Sequence, residues 1–404
     1  MRMQHVTVTG LGATTPLGGD VSQTWAALLE GRSGITALED DWARDLPVRM
    51  GGRMRTDPGE VLGRVTARRL DRCQQAALVA VREAWQDAAA PEVEPERLAV
   101  VIGTGVGGVL TTLGQDDVLE ASGARKVSPY TVPMLMPNGP AAVVSIEFGA
   151  RGGAYTPVSA CASGAEAIAM GLDLIRLGRA DVVIAGGAEA CLHPLTIAGF
   201  AQAKAMSRRN DAPEQASRPF DSGRDGFVLA EGAAMVILER AGFAAARGAR
   251  AYAMLAGAGI TSDAYHITAG LPEGQARAMR LAMESAGLGA GDVRHVSAHA
   301  TSTPPGDLAE ATSISRAVGT HAAVTAIKSM TGHLCGASGA LGAVATVLAL
   351  RDEVVPATRN LDAPDPEIGL DLVSGKPRHG RLGAAMVNSF GFGGHNTSLV
   401  FTAA

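Results

Sequence analysis

The sequence has few cysteines, few aromatic residues and no long apolar run. Four cysteines stand among 404 residues without a CxxC pair or a regular ladder, which is typical of proteins that stay reduced. The longest apolar run, within residues 339–350, is too short to span a bilayer. The N-terminus enters a strand pattern and shows no signal-peptide pattern. We therefore expect a cytoplasmic protein with no membrane partner.

Basic residues are too few to suggest a nucleic-acid partner. The formal net charge is −5 at pH 7, which excludes the strongly basic class of proteins that bind phosphate backbones. Lysine occurs only at positions 126, 204, 328 and 376, so a lysine inside a motif stands out. Hydrophobic residues make up 47% of the chain, and a chain of this length can bury a large core.

Short strand-like runs alternate with alanine-rich helical runs along the whole chain. This alternation predicts a layered α/β fold in which helices cover buried sheets. The predicted strands are 5–9, 98–102, 155–159, 181–185, 234–238, 252–257, 293–298, 323–327, 384–388 and 398–401. The predicted helices are 25–30, 68–89, 162–177, 275–286, 307–318 and 339–351.

Two stretches in the first part of the chain share their pattern with two stretches in the second part. GAYTPVSACASGAEAIAMGLDLIRLG and AAVTAIKSMTGHLCGASGALGAVATVLALRD each contain a short strand, a polar turn and an alanine- and leucine-rich helix. HVTVTGLGATTPLG and AYAMLAGAGITSDAYH match in the same way. A duplicated α/β half explains both matches. We place the division near Arg250, which gives halves 1–250 and 251–404 with a site at their junction.

Cys161 lies between a predicted strand, which we expect to be short and buried, and a predicted helix. Unpaired N–H groups and the dipole at a helix N-terminus favour thiolate over thiol. We therefore expect a lowered thiol pKa and a nucleophilic role for Cys161. The alternative interpretation is a small buried cysteine in the core.

His299, Lys328 and His333 also follow predicted strands, and loops at such strand ends build active sites in α/β proteins. Their spacing does not suit zinc, which usually has locally spaced ligands. One cysteine with two histidines is compatible with a Cys–His hydrolase. Two histidines with one cysteine fit a different need better: two imidazole N–H groups that stabilise negative charge on a carbonyl oxygen. Either histidine alone could be structural, and Lys328 could belong to a buried ion pair.

Residues 103–108 read GTGVGG and satisfy the GxGxxG pattern of dinucleotide-binding loops. Such a site needs an immediate helix and an acidic residue at the end of a second strand. The continuation VLTTLGQDDVLEASG offers no clear second strand. We therefore predict neither a bound cofactor nor a metal.

Four motifs carry a resemblance to a known family: SACASG, AHATSTPPGD, IKSMTGHLCGASGA and NSFGFGGHN. Together they resemble the elongating β-ketoacyl-[acyl-carrier-protein] synthases, with the greatest likeness to actinobacterial and mycobacterial members. The resemblance covers essentially the whole chain. It implies a thiolase fold with five α-β-α-β-α layers from two duplicated halves, assembled as a dimer.

The resemblance also implies a reaction and its residues. Cys161 would take an acyl group from an acyl carrier protein, whose phosphopantetheine carries the substrates. His299 and His333 would stabilise the enolate formed when malonyl-carrier loses CO₂, and the enolate would attack the acyl-Cys161 thioester. The N–H groups of Cys161 and Phe392 would hold the tetrahedral oxyanion. Lys328 would act in the same site, supported by Glu310 and Asp307.

Further positions are implied for substrate binding and carrier docking. Phe392 would act as a gate among glycines, and the alternative is a tight turn that ends a strand. The substrate-binding positions implied are Thr301, Thr303, Val106, Thr131 and Phe390. Small side chains at 106 and 131 would admit medium to long, or rigid unsaturated, acyl chains. The basic residues that could dock an acidic carrier are Arg68, Arg69, Arg72, Lys204, Arg208 and Arg209, with the first three on one helix face.

Departures from the family pattern and alternative functions stay open. SAHA replaces NAHG around His299, so Ser297 could weaken a monovalent-cation site, and Ala300 restricts the backbone. The first alternative function is a ketosynthase subunit of a type II polyketide or polyene pathway, possibly paired with a chain-length factor. The second is a non-catalytic partner subunit, against which the presence of Cys161 argues. A homodimer is expected, and a heterodimer with a chain-length factor is the alternative.

Overall fold

The computed structural model describes residues 4–404. Its strands are β1 (Val6–Thr14), β2 (Thr36–Ala37), β3 (Met50–Gly51), β4 (Leu98–Gly103), β5 (Ala154–Tyr155), β6 (Val182–Glu189), β7 (Gly232–Arg240), β8 (Ala253–Ser262), β9 (Val293–Ser297), β10 (Ala323–Thr325), β11 (Val354–Val355), β12 (Asp371–Leu372), β13 (Arg378–His379), β14 (Ala384–Gly391) and β15 (His395–Ala403). Its α-helices are α1 (Val21–Leu29), α2 (Pro58–Leu62), α3 (Arg64–Ala67), α4 (Arg72–Asp87), α5 (Val109–Ser122), α6 (Thr131–Leu135), α7 (Gly139–Phe148), α8 (Ser163–Arg176), α9 (Pro194–Gln202), α10 (Ala241–Ala246), α11 (Pro272–Ala286), α12 (Pro304–Ala317), α13 (Lys328–Thr331) and α14 (Ser338–Asp352).

Eleven of the strands form one sheet with an internal repeat. The order is β12-β10-β9-β14-β15-β8-β1-β7-β6-β4-β5, so β1-β7-β6-β4-β5 repeats as β8-β15-β14-β9-β10. Each series contains two antiparallel pairings followed by two parallel ones. The two series join where β1 and β8 pair in antiparallel fashion. The fold therefore contains the duplicated α/β half that the sequence predicts.

The helices complete five layers. Helix α4 packs on β1 and β7 at one outer face, and α11 packs on β8 and β15 at the other. Helices α8 and α14 lie between the two parts of the sheet, because each contacts strands of both. Every residue of α14 from Ser338 to Leu350 is buried, as expected for a helix that is apolar on all sides.

Glycines on the first strand of each half allow an outer helix to approach closely. A Cβ atom added to Gly12 would lie 1.9 Å from the carbonyl oxygen of Ala80 in α4, and one added to Gly259 would lie 2.1 Å from that of Ala278 in α11. Only a residue without a side chain fits at either position. The matching sequences TGLGAT and AGAGIT therefore correspond to the same packing in the two halves.

Several predicted elements have other bounds in the structure, such as the helix predicted at 25–30, which is Val21–Leu29. Two of the differences lie at or beside predicted site residues. The strand predicted at 155–159 is reduced to Ala154–Tyr155 at the edge of the sheet, and Val158 is exposed, so the prediction of a buried strand there is wrong. The helix predicted at 68–89 begins at Arg72, because the Asp71 side chain accepts a hydrogen bond from the Cys73 N–H at 2.9 Å. This capping box fixes the start of α4.

The division predicted between residues 250 and 251 falls in the segment that links α10 to β8. As a domain boundary it stays a prediction. Within residues 4–404 no helix combines the length and the apolar character needed to cross a membrane.

The close packing of β1 on α4 gives a test of the fold. Gly12→Ala should lower the free energy of unfolding by roughly 3 kcal/mol, because the new methyl group meets fixed backbone atoms. Gly114→Ala is the matched control: its new Cβ meets no atom within 4 Å, and the helical position should gain about 0.5–1 kcal/mol. Denaturant unfolding of both variants measures the difference, and equal stabilities would contradict the packing.

Candidate active site

Cys161 lies in a tight 3₁₀ turn, Ala160–Ala162, that leads directly into α8. The end of β14 packs against this turn: Ser389 Oγ donates to the Cys161 carbonyl at 2.9 Å. A Cβ atom added to Gly391 would lie 2.3 Å from the Ser159 carbonyl oxygen and 3.2 Å from the Cys161 nitrogen. The glycine therefore allows the C-terminal half to touch the backbone of the cysteine.

His333 faces the cysteine from the other half of the chain. Its Nε2 lies 3.0 Å from Cys161 Sγ, and its Nδ1 lies 2.9 Å from Ser338 Oγ at the start of α14. The backbone N–H of His333 donates to the Val228 carbonyl at 2.7 Å. The Phe227 ring packs against the imidazole with the two rings perpendicular and 5.4 Å apart. The two ring nitrogens, the ring itself and the backbone of His333 are thus all held by contacts.

His299 completes the group and is held mainly through its backbone. Its ring centroid is 5.5 Å from that of His333 and 5.8 Å from that of Phe390. Its N–H donates to Glu310 Oε1 at 2.8 Å, and its carbonyl accepts from Lys328 Nζ at 2.5 Å. Its Nδ1 is buried and has no hydrogen-bond partner among residues 4–404. The ring is therefore oriented by packing.

Burial sets the charge state of the two imidazoles. It lowers the pKa of His299 and of His333 well below the usual range, and the nearby Lys328 ammonium acts in the same direction. Both rings are therefore neutral at pH 7, and a neutral imidazole still carries one N–H donor. Burial also lowers the pKa of Lys328, to about 8, with the Glu310 carboxylate acting in the opposite direction.

The cysteine thiol differs from the sequence expectation. Burial raises the pKa of Cys161 to about 12, and the Lys328 charge only partly opposes this effect. The prediction of a lowered pKa is therefore wrong for the free protein, because the desolvation of the thiolate exceeds the electrostatic help available to it. The Cys161 side chain is therefore a neutral thiol at pH 7, and His333 Nε2, at 3.0 Å, is the nearest base to its proton.

Comparison with known proteins places this constellation in a family. Residues 3–244 match the family described as "Beta-ketoacyl synthase, N-terminal domain". Residues 252–362 match the family described as "Beta-ketoacyl synthase, C-terminal domain". The chain belongs to the beta-ketoacyl synthase family. It is 48% identical over 403 residues to the 3-oxoacyl-[acyl-carrier-protein] synthase 2 of Mycobacterium bovis, covering 98% of this chain and 97% of that one.

Solved structures agree with this assignment. One is a type II polyketide synthase acyl-carrier protein in complex with its ketosynthase bound to the hexaketide, with a TM-score of 0.91. Another is the ishigamide ketosynthase/chain length factor, with a TM-score of 0.93. Each is 30% identical, with both chains covered completely. The fold is therefore the thiolase fold of the ketosynthases.

The carboxylates implied by the family resemblance lie behind the histidines. Glu310 Oε2 accepts the Ala300 N–H at 2.6 Å, and Asn388 donates to Oε1 at 3.2 Å. Asp307 accepts the N–H groups of Phe220 at 2.9 Å and Ser302 at 3.0 Å, which ties the segment before β7 to the loop after His299. Burial raises the pKa of Asp307 to about 7.

A cavity of about 360 Å³ joins Cys161, His299 and His333. Of the predicted residues, the cavity wall also contains Thr301, Thr303, Phe390, Phe392 and Lys204.

Phe392 is 40% exposed in the turn between β14 and β15. Gly393 and Gly394 follow it with φ of +91° and +75°, which glycine adopts readily. The segment therefore forms a tight turn at the end of β14, and this turn places Phe392 on the cavity wall. The role of Phe392 as a gate stays a prediction.

Val106 and Thr131 are not part of the cavity wall within this single chain. Val106 is 46% exposed, and Thr131 Oγ1 donates to the Ser128 carbonyl at 2.7 Å. Neither residue therefore lies beside Cys161 on the cavity wall.

Some of the basic residues predicted for docking are exposed, and others are held by contacts within the chain. Arg68, Arg69 and Arg208 are exposed. Arg72 instead bonds Glu231 and Asp57, each at 2.7 Å, so its charge is already compensated.

The expectation that Arg68, Arg69 and Arg72 share a helix face is wrong, because α3 ends before Arg68 and α4 begins at Arg72. Arg209 donates to the Gly223 carbonyl at 3.1 Å.

Glu189 was missed by the sequence reasoning, although a carboxylate ending a buried strand in GGAE was a usable signal. It is fully buried and accepts hydrogen bonds from Thr104 Oγ1 at 2.8 Å, Gly105 N at 2.6 Å and Gly336 N at 3.0 Å. The GTGVGG loop thus directs amide groups to a carboxylate of its own chain.

In the part of the chain that the structure describes, no three His, Cys, Asp or Glu side chains are placed to hold a metal ion.

The raised thiol pKa predicts how Cys161 reacts with an alkylating agent. With a pKa near 12, the rate of iodoacetamide alkylation should rise about tenfold per pH unit from pH 7 to 9, because only the thiolate reacts. Peptide mass spectrometry of the Cys161 peptide measures this rate, with glutathione in the same solution as a reference thiol. A rate that is already constant above pH 7 would indicate a thiolate–imidazolium pair instead.

Proposed function

We propose that this protein catalyses the decarboxylative Claisen condensation of an acyl-Cys161 enzyme with malonyl-acyl carrier protein, giving 3-oxoacyl-acyl carrier protein in fatty acid elongation. The observation that carries the proposal is the 3.0 Å contact between Cys161 Sγ and His333 Nε2 in a cavity shared with His299. The name of the Mycobacterium bovis relative supports the same reaction. We place the reaction in the cytoplasm.

In the first step Cys161 takes the acyl group from its carrier. The sulfur attacks the thioester carbonyl, an S–C bond forms, and the bond from carbon to the carrier's sulfur breaks. The thiol proton passes to His333 Nε2 and then to the departing pantetheine sulfur. The imidazole is neutral before and after the step, in keeping with its lowered pKa.

In the second step malonyl-carrier loses CO₂. After the carrier leaves, the His333 ring exchanges its Nδ1 proton for one on Nε2 through solvent, so that Nδ1 accepts a hydrogen bond from Ser338 Oγ. The electron pair of the breaking C–C bond moves onto the thioester, and the enolate oxygen accepts hydrogen bonds from the N–H groups of the neutral His299 and His333 rings. The enolate carbon then attacks the acyl carbonyl on Cys161 and a C–C bond forms. The C–S bond to the cysteine breaks, and the departing thiolate takes a proton from water. Backbone N–H groups of Cys161 and Phe392 would hold the intermediate oxyanion, which the contact of Gly391 with the cysteine turn supports.

Lys328, Glu310 and Asp307 act as positioning residues in this proposal. Lys328 and Glu310 hold the carbonyl and N–H of His299, while Asp307 holds the loop that follows it. They affect the reaction by setting the orientation of the imidazole N–H donors.

The substrate path extends from the surface to Cys161. Thr301 and Thr303, whose hydroxyl groups lie 3.1 Å apart on the cavity wall, would bind the pantetheine amides. Phe392 would move aside to admit the acyl chain beside Phe390. The end of the chain would approach Val106, with Thr131 supplied by a second copy, and the small side chains favour medium to long acyl groups.

Two partners belong to the proposal. An acidic acyl carrier protein would bind Arg68, Arg69, Arg208 and Lys204, which are exposed. Lys204 also lies on the cavity wall. A second copy would cover the exposed apolar side chains of α6, α7 and the segment after β5, namely Val132, Ile146 and Val158. Substrates would arrive on the carrier, with no other cofactor.

A second candidate is a ketosynthase of a type II polyketide pathway paired with a chain-length factor. The two ketosynthase structures of that kind favour it at 30% identity. The higher identity to the elongating relative, 48%, favours fatty acid elongation.

Three variants test the proposed reaction. Cys161→Ala should form no acyl adduct with acyl-carrier substrates, as read by intact mass, while Cys73→Ala should acylate normally as the matched cysteine control. His299→Ala and His333→Ala should each reduce condensation by about 10²–10³, because each removes one donor to developing charge. Acyl adducts on Cys161→Ala, or normal malonyl decarboxylation by His333→Ala, would contradict the assignment.

A further inference from the structure

The imidazole of His333, whose Nε2 contacts Cys161, has a hydroxyl group at its other nitrogen. Ser338, the first residue of α14, places its Oγ 2.9 Å from His333 Nδ1. Ser338 and His333 are only 5% and 2% exposed. Ser338, and not bulk water, therefore decides how Nδ1 is hydrogen-bonded.

The proposed reaction asks two opposite things of His333 Nε2. During acylation Nε2 accepts the proton of the Cys161 thiol, so the ring proton must lie on Nδ1. During decarboxylation Nε2 donates an N–H to the enolate oxygen, so Nδ1 must carry a lone pair. Burial lowers the pKa of His333 well below its usual range, so the ring is neutral in both forms. The two forms differ only in which nitrogen carries the proton.

His299 provides the contrast. Its Nδ1 is also buried, but it has no hydrogen-bond partner among residues 4–404. In the proposed reaction His299 only donates to the enolate oxygen, so it never has to change its tautomer. The hydroxyl partner is thus found at the one catalytic histidine that has two tasks.

We infer that Ser338 is a positioning residue that stabilises both tautomers of His333 by rotating its hydroxyl group. A serine hydroxyl has one donor and two acceptor lone pairs, and a separation of 2.9 Å suits a hydrogen bond in either direction. Oγ accepts from Nδ1–H during acylation and donates to the bare Nδ1 during decarboxylation. Between the steps one proton leaves Nδ1 and one arrives at Nε2, while Ser338 keeps its own. The role rests on the proposed function, which assigns both tasks to His333.

Loss of the hydroxyl should affect the two steps unequally. In Ser338→Ala a proton on Nδ1 would be buried without an acceptor, which is unfavourable. A proton on Nε2 instead faces the catalytic cavity, which His333 lines and where water or a substrate oxygen can accept it. The Cys161 thiol is only a weak donor and does little to keep a lone pair on Nε2. The variant should therefore adopt the Nε2–H form, which can donate to an enolate but cannot accept the thiol proton.

The first measurement compares the two half-reactions in the full-length protein. Acylation of Cys161 by an acyl-carrier substrate, followed by intact mass against time, should be about tenfold slower in Ser338→Ala, the effect of one lost hydrogen bond. Release of CO₂ from malonyl-carrier in a single turnover, with both proteins fully acylated beforehand, should change by less than about threefold.

Thr346→Val is the matched control. It removes a buried hydroxyl from the same helix, α14, and this hydroxyl has no hydrogen-bond partner within residues 4–404. Both half-reactions of Thr346→Val should run at the wild-type rates.

The second measurement reads the tautomer directly and needs no substrate. In protein with ¹⁵N in its histidine rings, NMR chemical shifts distinguish a protonated from an unprotonated ring nitrogen. The His333 signals are those that disappear in His333→Gln. The wild type should carry the proton on His333 Nδ1, and Ser338→Ala should carry it on Nε2, because the hydrogen bond at one ring nitrogen sets the state of the other.

Three results would overturn the role of Ser338: unchanged acylation in Ser338→Ala, an equal fall in both half-reactions, or the same His333 tautomer in both proteins. Failure of the proposed function is distinguishable from these results. In that case the wild type would neither become acylated nor release CO₂, whereas the tautomer is read without substrate.

Discussion

The backbone of a single residue, His299, held between two buried charges is the constraint on which the site depends. Lys328 donates to the carbonyl of His299, and Glu310 accepts its N–H, with all three residues buried. Charges in such an interior are costly unless they are paired and hydrogen-bonded. Here the backbone of His299 supplies some of the hydrogen bonds that the two charges need. The charged side chains in turn hold the backbone of the histidine in place. The same ammonium helps to keep both imidazoles neutral.

The duplicated fold brings the fixed histidine close to Cys161. Each half has a helix that starts between the two parts of the sheet, α8 after the turn containing Cys161 and α14 after the turn containing Cys335. Because the sheet halves are related by the same strand order, the two helix starts meet at the centre of the molecule. His333, just before the second turn, thereby reaches Cys161 from the opposite half. Close glycine packing at the outer layers holds this arrangement together.

Much of the arrangement could be predicted from the sequence because it is local or repeated. The alternating pattern and its internal echo predicted the layers, and the motifs around Cys161, His299 and His333 predicted which side chains meet. The thiol pKa could not be predicted, because a helix start is visible in the sequence but the depth of burial is not.

The same physical limit explains the other differences. Asp71 caps α4, so the helix begins at Arg72 and not at residue 68. Arg72 also pairs with Glu231, which is far away in the chain. Glu189 serves a loop 83 to 85 residues earlier and a turn 147 residues later. Val106 and Thr131 lie at a part of the surface that no other segment of the single chain covers completely.

The most direct test of the central claim is the pH dependence of malonyl-carrier decarboxylation. The claim is that two neutral imidazoles stabilise the enolate, so the rate should be unchanged between pH 5.5 and 7.5, where an ordinary histidine with a pKa of about 6.5 would titrate. The Asp307→Asn variant, measured in parallel, removes the carboxyl group whose pKa of about 7 falls in the same range. A rate that falls about tenfold per pH unit above pH 6.5 in both proteins would show that an imidazolium is required and would contradict the account.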